Sequence, residues 1–114
     1  MSQNNLPDLS KLSHKVALNN VRVHKFLDGL STKIDAMLEA AKEKNWPEVT
    51  RLGHFVFRCS EVYGYDELAE KADSVCTATS NLMTENEIGK RLIKLVGAYA
   101  RSSNNRPEIM ANQS

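Results

Sequence analysis

The chain has 114 residues, of which 41% are hydrophobic, with only five glycines and three prolines, and this suits one compact domain able to bury a core. Fifteen Lys and Arg stand against fourteen Asp and Glu for a formal charge of +1; no long one-signed block appears, and a nucleic-acid binder, which would carry a basic face, is not expected. The N-terminal Met-Ser-Gln-Asn-Asn lacks a basic region followed by an apolar run, and no stretch approaches the length of a bilayer span, so the expected setting is cytoplasmic, with no membrane partner.

Residues 1–7 are polar and read as a flexible tail. A weak helical pattern at 8–18 repeats Leu9, Leu12 and Val16 and reads as a short lid helix across the others. The first strong pattern runs from Asn20 to Lys44, with Val23, Phe26, Leu30, Ile34, Met37 and Ala41 on one face. Trp46 and Pro47 interrupt it: proline is tolerated only in a first turn, so a new helix begins there with Asn45 as N-cap. That helix carries Val49, Leu52, Val56, Cys59 and Tyr63 at three- and four-residue spacing and stops at Gly64, which takes the left-handed conformation without a Cβ penalty. The third runs from Asp66 to Asn81 over Leu68, Ala72, Val75, Cys76 and Thr79. The fourth begins at Thr84, whose hydroxyl with Glu87 matches a capping box, and buries Ile88, Leu92, Leu95, Val96 and Tyr99. Links this short join antiparallel neighbours, and no segment alternates with period two. The expected fold is all-α: an antiparallel up-down four-helix bundle over 8–102 with a short N-terminal lid helix, followed by a disordered tail at 103–114.

Most chemistry-bearing patterns are missing. Cys59 and Cys76 fall on apolar stripes, where a thiol behaves as a small hydrophobe, and a disulfide between them stays open. Neither their spacing nor that of His14, His24 and His54 makes a zinc pattern, so no metal is expected. The glycines never form a phosphate-binding nest, and carboxylate pairs such as Asp35 with Glu39 are balanced by lysines, as on a solvated face. His54 stands apart. At about 100° per residue it falls opposite the stripe of its helix, and a histidine held there can act as nucleophile or proton carrier, because an ordinary imidazole pKa of about 6.5 leaves much of it neutral. Its outer-side neighbours are Thr50 and Arg51 one turn before, Phe57 and Arg58 one turn after, and Glu61 two turns on. Phe57 points away from the expected core, and an aromatic left in water beside an imidazole marks a docking patch. The bland alternative is that Phe57 folds down against the first long helix and His54 is plain surface.

The run Phe26-Leu27-Asp28-Gly29-Leu30, then Met37-Leu38-Glu39-Ala40-Ala41, then Asn45-Trp46 and Arg51-Leu52-Gly53-His54, continuing into Gly64-Tyr65-Asp66-Glu67-Leu68-Ala69-Glu70-Lys71-Ala72, resembles the histidine-containing phosphotransfer (HPt) domain family. The resemblance covers residues 22–82 and continues, in helical pattern only, to about residue 100. It implies the antiparallel four-helix fold and a phosphorelay role in two-component signalling. His54 would accept a phosphoryl group from an aspartyl phosphate on the receiver domain of a response regulator or hybrid sensor kinase and pass it on. The chain would have no cofactor and no small-molecule reaction of its own; the metal ion would come with the receiver. The docking surface expected around His54 comprises Thr50, Arg51, Phe55, Phe57, Arg58 and Glu61, on a monomer or weak dimer.

The family follows its histidine with Lys three residues later and Gly four residues later; this chain has Phe57 and Arg58. The lysine places positive charge beside the incoming phosphoryl group, and the glycine lets the partner close over the imidazole. Arg58 supplies a cation but not the space. Two readings of other classes stand beside phosphotransfer: a binding module on the same fold that docks a receiver without taking phosphate, and an unrelated helical adaptor.

Overall fold

The computed structural model describes residues 9–107, with side chains from Asn19 onward; the tail read at 1–7 and the part from 108 on of the tail read at 103–114 lie outside the described residues. Its elements are α1 (Leu9–Lys42), α2 (Trp46–Val62), α3 (Asp66–Ser80) and α4 (Glu85–Asn104). Each helix packs against the next and α4 returns to α1, while the diagonal pairs α1/α3 and α2/α4 make no close backbone approach. This is the up-down four-helix bundle expected from the short connections. Leu27, Leu30, Ile34 and Met37 of α1, Val49, Leu52 and Val56 of α2, Leu68, Ala72 and Val75 of α3, and Ile88, Leu92 and Leu95 of α4 form one buried core.

Two expectations need correction. The segment read as a separate lid is the beginning of α1, which runs unbroken from Leu9 to Lys42 over 34 residues. Asn19 and Asn20 lower helix propensity without breaking a helix, and no Pro or Gly stands between Leu9 and Asp28. At the other end, α4 extends to Asn104, and Arg106 and Pro107 are tied down. The Tyr99 hydroxyl donates to the Leu27 carbonyl at 2.8 Å and accepts from Arg106 Nη2 at 3.3 Å, while Arg106 Nη1 reaches the Asp28 carboxylate at 2.8 Å. His24 Nε2 lies 2.8 Å from the Pro107 carbonyl, which can only accept, so that ring nitrogen carries the proton. Composition gave no warning of this clasp because its partners lie far upstream, on α1.

The three corners share one construction. Asn45 N–H reaches back to Ala40 O, Tyr65 to Ser60 O and Met83 to Ala78 O, and the residue before each has positive φ: Lys44 at 59°, Gly64 at 77° and Leu82 at 53°. This left-handed ending satisfies the last carbonyls of each helix. Only Gly64 advertises it in the sequence. Leu82 is held in a left-handed conformation while 84% exposed, so it bears the steric penalty without a packing return. Leu82→Gly is therefore expected to stabilise the protein by about 0.5–1 kcal/mol, read as a higher urea midpoint at unchanged m-value.

The buried arc of α2 is rotated from the one its large apolar residues mark. Val49, Leu52, Gly53, Val56 and Ser60 are buried, Cys59 is half-buried, and Tyr63 is 41% exposed. The centre of the arc thus moves by roughly a tenth of a turn toward the small residues Gly53 and Ser60. Ser60 is fully buried with no hydrogen-bond partner for its hydroxyl among the described residues. A polar group in that position costs stability, so Ser60→Ala should raise the unfolding free energy by about 1 kcal/mol.

Candidate functional site

Asn45 caps α2 by accepting from Glu48 N–H at 3.3 Å, with Pro47 in the first turn. Eight residues after that cap, Gly53 sets the depth of the helix. A Cβ built there would lie 2.6 Å from Cys76 Sγ and 3.4 Å from Met37 Cε, so α2 sits closer to its neighbours than a larger residue would allow. The next residue, His54, leaves the bundle on the far side. It is exposed, and its imidazole has no hydrogen-bond partner among the described residues.

A shallow hollow beside the ring is lined by Arg51, His54, Phe55, Arg58 and Cys59. Its two guanidinium groups are not equivalent. Arg51 is held by Glu48 in a bidentate pair, Nε to Oε1 at 2.7 Å and Nη2 to Oε2 at 2.6 Å; that hydrogen bond holds the exposed Glu48 carboxyl below its ordinary range and satisfies the fork of Arg51. Arg58 has no carboxylate within ion-pair distance among the described residues, and it lies one turn from His54 on the same side, where a donor can meet an incoming anion.

The hollow opens onto a groove between α1 and α2 lined by Lys25, Phe26, Gly29, Leu30, Lys33, Phe55, Cys59 and Tyr63. Phe26 stacks on Tyr63 with centroids 4.2 Å apart and planes 10° from parallel. Phe55 is 45% exposed, and Lys33 Nζ stands 4.7 Å from its ring centroid, a cation–π contact that fixes the ring beside His54. Lys25, Lys33 and Cys59 were not among the expected site residues. The lysines come from another helix, and their approach depends on the α1–α2 register, which no local pattern states.

Three expected docking residues are placed differently. Phe57 is half-buried and packs against the core cluster, as the rotated arc of α2 dictates; the ring folds inward instead of standing out as a docking aromatic, and Phe55 is the exposed phenylalanine beside His54. Thr50 turns toward α3: its hydroxyl bonds the Trp46 carbonyl at 3.0 Å and the Thr79 hydroxyl, so it belongs to the helix interface. Glu61 is exposed on the His54 side but does not line the hollow. Arg51, Phe55 and Arg58 remain together around His54.

Both cysteines are free. Cys76 is 3% exposed, and burial, followed by the nearby Asp73 carboxylate, pushes its thiol up to about 11. Because this lies above the unfolded value, the stabilisation from burying the thiol is fully present below that value and is lost as pH rises through about 11. At pH 8 the folded protein should take up iodoacetamide on Cys59 alone, with Cys76 reacting only in denaturant; equal native rates by peptide mass mapping would refute this. Among the described residues no group of three His, Cys, Asp or Glu is placed to hold a metal ion, and no helix is long and apolar enough to cross a membrane. No protein-family model matches the chain, and no curated protein and no solved structure matches it.

Proposed function

We propose that the chain is an HPt-like phosphorelay protein in which His54 accepts a phosphoryl group from a receiver-domain aspartate and passes it to another. The observation that carries this reading is an exposed imidazole on a rigid helix, one turn from Arg58, which has no ion-pair partner among the described residues, and beside an apolar groove. The ring nitrogen lone pair forms an N–P bond as the bond from phosphorus to the aspartyl oxygen breaks, and the aspartate leaves as carboxylate. Such transfer rests on in-line positioning and neutralisation of the equatorial oxygens. Arg58 would supply that charge where the family has its lysine. Phe57, packed against the core, does not stand in the path of approach, which removes one objection that the altered pattern raises.

A docking module that takes no phosphate is the second reading. It is favoured by the exposed Phe55 and the groove beside it, which suit protein contact whether or not chemistry follows. Incubation with a receiver domain carrying radiolabelled aspartyl phosphate separates the two. Phosphotransfer predicts acid-labile, base-stable label on this chain; stable binding without label leaves the docking reading, and neither binding nor label removes both.

A further inference from the structure

From Leu9 to Leu27 the chain carries Lys11, Lys15, Arg22 and Lys25 and no Asp or Glu. The near balance of charge over the whole chain hides this, and the fold gives it direction. The clasp at His24 and the aromatic stack at Phe26 mark the end of the bundle, so the earlier turns of α1 run past it by about 20 Å. At about 100° per residue, positions 11, 15, 22 and 33 share one helix face. That face leads into the α1–α2 groove, where Lys25 and Lys33 stand at the rim, and then to Arg58 and His54. Arg22, Lys25 and Arg58 are exposed, and no carboxylate among the described residues is ion-paired with them or with Lys33.

We infer that this face of α1 is an electrostatic docking stripe for an acidic protein surface with an apolar centre, extending the contact about 30 Å along α1 from the His54 hollow. The partner is the receiver domain of the proposed function, so the inference rests on that reading and adds what the receiver must look like. The cations flank an apolar groove of Phe26, Leu30, Phe55 and Cys59, which a phosphate backbone would leave unmatched. A lipid surface would need the apolar stripe of the projecting helix foremost, yet positions 9, 12 and 16 lie on a different side from 11, 15 and 22. Charges arranged in this way act mainly on the rate of encounter.

The test compares the full chain with Lys11→Glu/Lys15→Glu/Arg22→Glu, a variant altered only on the projecting turns, in binding to a purified acidic receiver domain by stopped-flow fluorescence. The stripe predicts a Kd raised about tenfold or more, mostly through slower association, with the difference closing as salt is raised. Equal association rates for the two proteins would overturn it. So would tighter, charge-dependent binding to vesicles of phosphatidylglycerol with phosphatidylcholine, or to duplex DNA, than to the receiver. Label on His54 with unchanged association removes the stripe and keeps phosphotransfer. Charge-dependent binding without label does the reverse, and absence of any receiver binding removes both.

Discussion

Replacing His54 by glutamine is expected to abolish acid-labile labelling by a phosphorylated receiver domain while leaving the fold intact. Glutamine keeps a polar side chain of similar reach but has no nucleophilic nitrogen, since its amide lone pair is delocalised. The wild-type ring is exposed and without a hydrogen-bond partner among the described residues, so unfolding free energy should change by no more than about 0.5 kcal/mol. Label retained on His54→Gln would move the phosphoacceptor elsewhere, to His14 or His24. A large loss of stability would show that the imidazole belongs to the core and end the functional reading.

The largest stability effect is expected two residues earlier, on the opposite face of α2. Leu52→Ala removes a side chain that is 3% exposed within the main core, and the loss of transfer energy plus the cavity left behind should cost about 2–5 kcal/mol. For a domain of this size that is a large part of total stability, and the melting temperature should fall by on the order of 10 °C or more. A loss under about 1 kcal/mol would mean that α2 rolls to refill the space, which would also turn His54. Near-equality of the Leu52 and His54 effects would therefore contradict the orientation of α2 on which the site depends.

The same orientation shows where local pattern and structure part. The periodic large residues Val49, Leu52 and Val56 are buried as their spacing requires, and the helix boundaries at Trp46 and Thr84 follow from caps that the sequence spells out. Cys59 and Tyr63 belong to the same apolar stripe but sit at its exposed edge. Helices approach most closely where residues are small, and Gly53, Ser60 and Ala98 carry little or no hydrophobic signal although all are buried. Val96 fails for the matching reason on α4: it is 38% exposed while Ala98 is fully buried. Phe57 followed from the same rotation, which took it from a surface docking aromatic to part of the packing.

By itself, the sequence determined that the chain is helical, where α2 and α4 begin, that Gly64 ends a helix, and that His54 lies away from the core. Each of these depends on residues within a few positions of one another, so hydrophobic period, capping oxygens and backbone freedom are enough to specify them. Only the tertiary structure decided that the lid is part of α1, that Lys44 and Leu82 take left-handed turns without glycine, and that Arg106 and Pro107 are clasped to His24 and Asp28. It also decided which cations reach the hollow: Arg58 has no ion-pair partner among the described residues, Arg51 is held by Glu48, and Lys33 arrives from α1 over Phe55. These outcomes depend on how deeply α2 seats at Gly53 and on the register of α1 beside it. That balance of packing, sterics and long-range hydrogen bonds has no local signature, because the groups that settle it are distant in the chain and meet only in the folded bundle.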